Sequence, residues 1–335
     1  MKAAVFTALK APLEVQVLPD PKPASGQVIV SVRRCGICGS DLHMSEEAAF
    51  GLPSGAVMGH EFAGEVVEKA SDVAGIKVGD LVSVVPIRGC GRCPSCLAGE
   101  PAWCAEMLLQ GGGYGEFAAA NETQCVIMPE GLSMADGAII EPLAVALHGL
   151  QVSSLRPGAK VVVVGAGPIG LSVAFWARRM GASRIVMVDV ADFQRDRAME
   201  MGATHFVSGV DDPVAEVDRV LGGKADIAFE CVGAPGLIAQ CVGHVGVRGC
   251  VVLLGLCTKP DSFVPFTAVS KEVRLQSSAF FTQQEYRMAL GALESGAIEP
   301  RCLVSDTIGL NDVPAMFEAL KKRSGQSKVL IRHDG

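Results

Sequence analysis

The strand-turn-helix pattern at residues 161–171 constrains the fold of this chain more than any other feature. The segment reads Val161-Val162-Val163-Val164-Gly165-Ala166-Gly167-Pro168-Ile169-Gly170-Leu171, so an apolar run is followed by G-x-G-x-x-G. Gly165 permits the tight turn, Gly167 lets the backbone approach a pyrophosphate, and Gly170 allows the helix to pack closely on the strand. Pro168 suits the first helical turn, where a missing N–H costs nothing. The pattern predicts a dinucleotide bound at the helix N-terminus.

An acidic residue further along supports this interpretation. Asp189 ends the next apolar run, nineteen residues after Gly170 (189 − 170), where a carboxylate can accept hydrogen bonds from both ribose hydroxyls. Val190 follows it, rather than the Arg or Ser that would accommodate a 2′-phosphate. We therefore expect NAD rather than NADP. The alternative is a plain glycine turn with an unrelated strand-end Asp.

The pattern of apolar runs differs between the first part of the chain and the middle part. Up to about residue 145, short β-runs at 27–32, 61–67 and 81–85 alternate with Gly/Pro turns, which predicts a β-rich domain. From residue 157, apolar runs of strand length alternate with helical stretches, which predicts an α/β, doubly wound parallel sheet. Its six predicted strands are 160–164, 184–188, 204–207, 226–230, 250–254 and 273–277.

The last fifty residues return to a mixed pattern. They predict helices at 286–294 and 312–322, the second capped by Asn311, and strands at 304–308 and 328–331. A chain of 335 residues also exceeds what one core usually supports, so we expect two domains.

Composition excludes several classes of partner. The net charge of −7 is spread along the chain, and no Lys/Arg cluster marks a nucleic-acid or lipid surface. No apolar run reaches the ~20 residues that a membrane span needs. The N-terminal residues also lack the apolar core of a secretory signal. We expect a cytoplasmic protein that acts on small molecules.

Four cysteines form a compact metal-binding pattern. Cys90, Cys93, Cys96 and Cys104 are spaced C-x2-C-x2-C-x7-C, among Gly and Pro residues that allow four thiols to converge. Tetrahedral zinc requires such a set, and a closed four-sulfur shell leaves no position for a substrate. A disulfide framework or an iron–sulfur cluster are the alternatives, but each fits the compartment or the spacing less well. We predict a structural zinc.

Two further segments, Cys35-Gly36-Ile37-Cys38-Gly39-Ser40-Asp41-Leu42-His43 and Gly59-His60-Glu61, have no obvious structural purpose. With the stretch from Glu141 to His148, the four cysteines and the glycine turn, they make the chain resemble the zinc-dependent medium-chain alcohol dehydrogenases, closest to the polyol- and threonine-dehydrogenase-like branch. The resemblance covers essentially the whole chain. It implies a GroES-like catalytic domain at 1–148 and 282–335, with a zinc lobe at 88–105, around a Rossmann NAD-binding domain at 149–281.

The same resemblance implies a second, catalytic zinc. Cys38 and His60 match two ligands, and Glu141 matches the third, directly or through water. Glu61 is an alternative third ligand that exchanges with Glu141, or a carboxylate outside the ligand set. One thiolate, one imidazole and one carboxylate leave an open fourth position, as a catalytic zinc requires. Asp41 would orient His60.

Catalytic roles follow from these positions. Zinc acts as a Lewis acid on the alcohol oxygen, and hydride passes to the nicotinamide. By resemblance, Ser40 takes the released proton, and the cofactor ribose and His43 pass it to solvent. His43 could instead only contact the cofactor.

The resemblance also implies a cofactor-binding set drawn from several strand ends. Arg195 lies one place later than the basic residue that often flanks the adenosine in this family. The expected set is Gly165, Gly167, Pro168, Ile169, Gly170, Asp189, Arg195, Cys231, Val232, Leu254, Gly255, Leu256, Ala279 and Phe280.

The substrate is less constrained. The segment 104–117 is shorter than in most members of the family and contains Met107, Leu108 and Leu109. We hypothesise that it leaves an apolar pocket, shared with Phe50 and Phe280, for a bulky hydrophobic secondary alcohol or ketone. A small polyol, butanediol or threonine-type substrate is the alternative. A non-catalytic relative or a zinc-free quinone reductase would have lost ligands that this chain keeps. The resemblance implies a homodimer or homotetramer.

Overall fold

The computed structural model describes residues 1–210, 212–322 and 325–333. Its internal contacts divide the chain into two compact units. The first unit comprises Met1–Glu141, Thr282–Ala297 and Val304–Gly335, and the second comprises Pro142–Phe281 and Ile298–Leu303. The domain limits expected above, at residues 148/149 and 281/282, stay a prediction. No helix in the described ranges is both long and apolar enough to cross a membrane.

The first 153 residues form ten strands and four helices. The strands are β1 (Lys2–Phe6), β2 (Glu14–Val17), β3 (Gln27–Gly36), β4 (Ala56–Val57), β5 (Glu61–Lys69), β6 (Leu81–Val84), β7 (Ile87–Arg88), β8 (Leu108–Leu109), β9 (Phe117–Asn121) and β10 (Cys125–Ile127). The helices are α1 (Gly39–Glu46), α2 (Pro94–Leu97), α3 (Met134–Ala138) and α4 (Ile140–Ser153).

The middle of the chain alternates strand and helix, as the apolar pattern predicts. The strands are β11 (Lys160–Val164), β12 (Arg184–Asp189), β13 (His205–Ser208), β14 (Ala225–Glu230), β15 (Val245–Leu253) and β16 (Arg274–Ser277). The helices are α5 (Pro168–Arg179), α6 (Arg195–Glu200), α7 (Pro213–Leu221), α8 (Leu237–His244) and α9 (Pro265–Val269).

These six strands form one parallel sheet in the order β13-β12-β11-β14-β15-β16. The chain leaves β11 toward one edge and returns at β14 toward the other, so the strand order reverses between β11 and β14. Ligands of open parallel sheets bind at such a switch point, at the carboxyl ends of the strands. The predicted α/β class with a doubly wound sheet is confirmed.

The remaining elements are α10 (Gln283–Glu294), β17 (Val304–Gly309), α11 (Val313–Leu320) and β18 (Lys328–Arg332). The predicted N-cap at Asn311 is wrong. Residues Leu310–Asp312 form a short 3-10 turn, and α11 begins after it at Val313. The predicted end of this helix reaches residue 322, beyond the observed Leu320.

Strand β3 is the centre of the first unit's main sheet, whose order is β10-β6-β5-β3-β18-β17 with β9 also paired to β3. β5 lies antiparallel on one side of the end of β3 and β18 on the other, so the last strand of the chain closes the sheet that the early strands begin. Val28, Val30 and Val32 of β3 are fully buried in the core of this unit. A separate small sheet has the order β2-β1-β4.

The burial of Phe317 generates the first prediction. Its ring is fully buried in this core and meets Tyr114 edge-on, with ring centroids 6.4 Å apart. Truncating a buried Phe removes its burial energy and leaves a cavity, at a cost of about 3–5 kcal/mol. We expect Phe317→Ala to lower the free energy of unfolding by that amount in a denaturant titration. Phe193→Ala, at a ring that is 51% exposed, is the control. Equal effects of the two changes would contradict this description of the core.

Candidate active site

The candidate catalytic metal set lies where β3 and β5 come together. Cys38 follows the end of β3 and precedes α1, His60 precedes β5, and Glu61 is the first residue of β5. One ligand atom from each of Cys38, His60 and Glu61 lies within 4.8 Å of the other two. A thiol, an imidazole and a carboxylate at this spacing can reach one small cation, and zinc accepts all three donor types.

A buried ion pair, supported by hydrogen bonds to its carboxylate, positions the imidazole of this set. The Oδ1 atom of Asp41 lies 3.2 Å from His60 Nδ1, which leaves Nε2 for a metal. The Oδ2 atom of Asp41 accepts hydrogen bonds from the Tyr114 hydroxyl at 2.7 Å and from the Cys38 N–H at 3.1 Å. Tyr114 is therefore a positioning residue that the sequence analysis missed. Its place in a Gly-rich turn, 73 residues from Asp41, carries no local signal.

The electrostatics of this network favour a cation. Burial alone would lower the pKa of His60, but the charges of Asp41 and Cys38 overcome it and hold that pKa well above its usual value. Burial would likewise raise the pKa of Asp41, yet the charge of His60 and the hydrogen bonds that Asp41 accepts lower it. The set therefore stabilises positive charge at the point where the three donors meet.

The two predicted relay residues lie on α1. The Ser40 hydroxyl donates to Cys38 Sγ at 3.1 Å and lies 3.4 Å from His60 Nε2, so it is next to the donor set. His43 lies one turn further along, half-buried, with its Nδ1 3.1 Å from Glu47 Oε1. Glu47 orients the His43 ring, and the sequence analysis did not include it.

Glu141 does not join the three-donor group among the described residues. It is buried near the start of α4, where burial and the neighbouring carboxylates of Glu61 and Asp41 raise its pKa to about 7 against the opposing charges of His60 and Lys328. It lies close enough to feel the donor set, but Glu61 is the carboxylate that the structure brings to Cys38 and His60.

Lys328 is the most unexpected residue of the site. Its Nζ lies 2.7 Å from Glu61 Oε1 and 2.6 Å from Oε2, and both side chains are almost completely buried. Sequence reasoning placed Lys328 only at the start of a strand. A lysine is rarely buried unless it is paired, and its partner lies 267 residues away.

The four cysteines that the sequence analysis assigns to a structural zinc lie close together. The Sγ atoms of Cys90, Cys93, Cys96 and Cys104 lie within 4.8 Å of one another, and all twelve cysteines of the chain are free thiols. Backbone N–H groups of Cys90 and Glu106 each donate to Cys104 Sγ at 3.3 Å. Backbone N–H groups of Arg92 and Cys93 also lower the pKa of Cys90 to about 6, which favours the thiolate that binds metal. This donor set fits a closed tetrahedral zinc.

In the second unit, the predicted cofactor residues follow the carboxyl ends of five strands of the parallel sheet. The glycine turn follows β11, Asp189 ends β12, Cys231 and Val232 follow β14, residues 254–256 follow β15, and Ala279 and Phe280 follow β16. These residues therefore lie on one side of the sheet, at the carboxyl ends of its strands. Phe280 adopts a left-handed backbone with φ 58°, a conformation that costs a non-glycine residue free energy.

The glycine turn has the shape that a dinucleotide needs. A Cβ on Gly170 would lie 1.8 Å from the Gly165 carbonyl oxygen, so only glycine lets α5 approach the turn this closely. A Cβ on Gly167 would meet no atom within 4 Å, so there is open space over the start of α5. Pro168 is in the first turn of α5, as predicted. The residues present fit a pyrophosphate at this helix N-terminus.

Two carboxylates hold the loops at these strand ends by accepting hydrogen bonds from backbone N–H groups. Asp189 accepts hydrogen bonds from the N–H groups of Ala166 at 2.6 Å and Ala191 at 2.8 Å, which joins the glycine turn to the end of β12. Glu230, which the sequence analysis missed, accepts from the N–H groups of Val232 and Gly233, both at 2.8 Å. It thereby fixes the loop after β14.

Arg195 makes contacts within its own region of the second unit. Its guanidinium lies over the Phe206 ring at 4.7 Å, donates to the Phe206 carbonyl and pairs with Asp192 at 2.5 Å. Contact of Arg195 with the adenosine stays a prediction.

Comparison with known proteins agrees with this geometry. Residues 24–130 match the family model described as alcohol dehydrogenase GroES-like domain, and residues 168–295 match that described as zinc-binding dehydrogenase. The chain is 33% identical to (R,R)-butanediol dehydrogenase of Bacillus subtilis, over 99% of both chains. It belongs to the zinc-dependent medium-chain alcohol dehydrogenase family, in the polyol-type branch.

Further relatives of this dehydrogenase support the same family assignment. It is 32% identical to a probable D-xylulose reductase A of Aspergillus clavatus, over 91% of this chain and 88% of the other. A putative zinc-binding dehydrogenase from Sinorhizobium meliloti, solved with NADP bound, superposes with a TM-score of 0.89 at 30% identity, over 99% of this chain and 98% of that one. An oxidoreductase acting on CH–OH groups is thus supported, whereas the choice between NAD and NADP is not decided by relatives.

The two donor sets generate a prediction about metal content. We expect wild-type dehydrogenase to carry two zinc ions per chain, and Cys96→Ser and Cys38→Ser to lose one each. Cys96→Ser should lower the melting temperature more than Cys38→Ser does, by about 5 °C or more, because a closed structural site contributes directly to folding. Metal analysis and calorimetry on the same samples test this, with Cys257→Ser, at an exposed thiol, as the control. Two ions retained in Cys38→Ser would contradict the catalytic assignment.

Proposed function

We propose that this chain is an NAD-linked, zinc-dependent dehydrogenase that interconverts a secondary alcohol and a ketone. The main support for this proposal is that the ligand atoms of Cys38, His60 and Glu61 lie close together with the Ser40 hydroxyl beside them. Three donors leave an incomplete zinc shell, which is the arrangement of a catalytic rather than a structural site.

Zinc bound there would act as a Lewis acid on the alcohol oxygen, and a bound nicotinamide would accept the hydride. The chain's own residues do the rest. Asp41 contacts Nδ1 of His60 and so leaves Nε2 as the ring nitrogen for a metal, and Tyr114 and the Cys38 N–H hold Asp41. Ser40 Oγ is within 3.4 Å of His60 Nε2, so its hydroxyl can take a proton released beside the metal. His43, oriented by Glu47, can pass that proton to solvent.

Asp189 supports NAD as the cofactor. Its carboxylate ends β12 beside the glycine turn, where a ribose with free hydroxyls would donate to it and a 2′-phosphate would be repelled. Val190 follows with a side chain that is 52% exposed and has no charge for a phosphate.

Two substrate classes remain candidates, each favoured by a specific observation. Leu108 and Leu109 are exposed apolar residues on the short strand β8. We infer that they would line the substrate pocket, which favours a bulky hydrophobic secondary alcohol. The activities in the names of the relatives, butanediol dehydrogenase and D-xylulose reductase, favour a small diol or polyol. In both classes the reacting group is a secondary carbinol. Assembly as a homodimer or homotetramer and a cytoplasmic location stay predictions.

The substrate proposal is tested by an NAD-linked activity screen. We expect oxidation of secondary alcohols, with kcat/KM at least 10-fold higher for a bulky alicyclic or aromatic alcohol than for 2,3-butanediol or sorbitol. Leu108→Ser should narrow that ratio, because it removes apolar surface from the segment that favours the bulky substrate. A higher kcat/KM for the polyol would reject the bulky class in favour of the second candidate. If the protein holds two zinc ions but oxidises no alcohol in the screen, the proposed dehydrogenase activity is rejected.

The cofactor proposal is tested by Asp189→Asn. Losing a charged acceptor to the ribose removes about 1.5–3 kcal/mol, so the KM for NAD should rise about 10- to 100-fold while that for NADP changes less or falls. Asp196→Asn, at an exposed carboxylate on α6, is the matched control. An unchanged KM for NAD would show that Asp189 serves only its own backbone contacts.

A further inference from the structure

The buried ion pair between Lys328 and Glu61 is more than a link between strands. Lys328 is 2% exposed and Glu61 is 1% exposed. The ammonium contacts both oxygens of one carboxylate, at 2.6 and 2.7 Å, and donates a further hydrogen bond to the Ile37 carbonyl at 3.1 Å. All three ammonium hydrogens thus have acceptors, and Ile37 is the residue directly before the donor Cys38.

The sheet is built so that this pair can form. Gly36, at the end of β3, is the register partner of Glu61 on β5 and of Leu330 on β18. The ion pair therefore joins two strands that lie on opposite sides of Gly36. A Cβ at Gly36 would lie 2.0 Å from Glu61 Oε2, so only glycine leaves room for the carboxylate in this position.

The charge balance around the donor set gives the pair a function. Three buried carboxylates, those of Asp41, Glu61 and Glu141, lie in this region with the thiol of Cys38. His60 and Lys328 are the buried basic side chains there. His60 would offer its Nε2 to a metal and would then be neutral. Lys328 would stay positively charged whether or not a metal is bound. Removing either partner would leave an uncompensated buried charge, so each side chain holds the other in place.

We propose that Lys328 is a positioning residue for the catalytic metal: it holds the Glu61 carboxylate in the donor set with Cys38 and His60, and its charge offsets that of the ligand. This inference rests on the proposed function. A carboxylate whose two oxygens are fixed by Lys328 keeps one orientation toward the metal, since each oxygen retains a second lone pair for coordination. Partners of metal ligands tune affinity in this way, and their loss commonly weakens metal binding 10- to 100-fold.

The competing explanation is that the pair only joins β5 and β18 across β3. In that case replacing Lys328 would lower stability and leave the metal site unchanged. Metal affinity and the spectrum of a substituted metal distinguish the two explanations, because they report on the donor atoms rather than on folding.

The test compares Lys328→Met, Lys328→Arg, Glu61→Gln and the double variant Lys328→Met/Glu61→Gln as holoenzymes. Zinc affinity is measured by chelator competition, with the four-cysteine zinc as an internal control. The visible absorption of enzyme carrying cobalt at the catalytic site reports on ligand geometry. We expect Lys328→Met to weaken the catalytic zinc 10- to 100-fold and shift the cobalt spectrum, and Lys328→Arg to restore most of both. The Lys328→Met change should have little further effect in the Glu61→Gln background, because the two residues act as one unit.

Several results would overturn the inference. Unchanged or tighter zinc binding in Lys328→Met, with a wild-type cobalt spectrum, would leave the pair a purely structural link, whatever happens to the melting temperature. Equal effects of Lys328→Met in the wild-type and Glu61→Gln backgrounds would also reject it. If Lys328→Met fails to fold, the double variant, which buries no unpaired charge, still gives the comparison with Glu61→Gln. Failure of the proposed function looks different, since wild-type enzyme would then hold no zinc that Cys38→Ser removes.

Discussion

Buried negative charge is the constraint on which the first unit depends. The sheet centred on β3 buries the carboxylates of Asp41, Glu61 and Glu141 beside a thiol, and each must be compensated or protonated. Asp41 is compensated by His60 and by hydrogen bonds from Tyr114 and Cys38. Glu61 is compensated by Lys328. Burial raises the pKa of Glu141 to about 7. Such a site is stable only with fixed cations, and it favours one more.

In the second unit, the positions of the strand ends assemble the candidate cofactor surface. Parallel strands bring their carboxyl ends to one edge, so short turns after β11, β12, β14, β15 and β16 are sufficient to assemble a binding surface. Asp189 and Glu230 then brace two of these turns through backbone N–H groups. In the function we propose, the first unit would supply the donors that hold the catalytic metal, and the second would supply the surface that binds the dinucleotide.

Local signals made much of this predictable. The glycine turn, each of the six apolar runs and the cysteine spacing are local patterns, and they predict the parallel sheet, the position of Pro168 and the grouping of the four thiols. The residues that sequence reasoning missed act over long separations. Tyr114 reaches Asp41 across 73 residues and Lys328 reaches Glu61 across 267. Asn311 failed as a cap because a 3-10 turn precedes α11. Whether Glu61 or Glu141 meets Cys38 depends on strand register, which no local pattern specifies.

The proposed function depends on a metal ion bound by Cys38, His60 and Glu61, separate from the ion of the four cysteines. The most direct measurement is X-ray diffraction from crystals of the purified protein at wavelengths on either side of the zinc absorption edge. We expect two anomalous peaks per chain that vanish below the edge, one inside the four cysteines and one within about 2.0–2.3 Å of Cys38 Sγ, His60 Nε2 and a Glu61 oxygen. A single peak at the cysteines, with Cys38 and His60 bound to no metal, would contradict it.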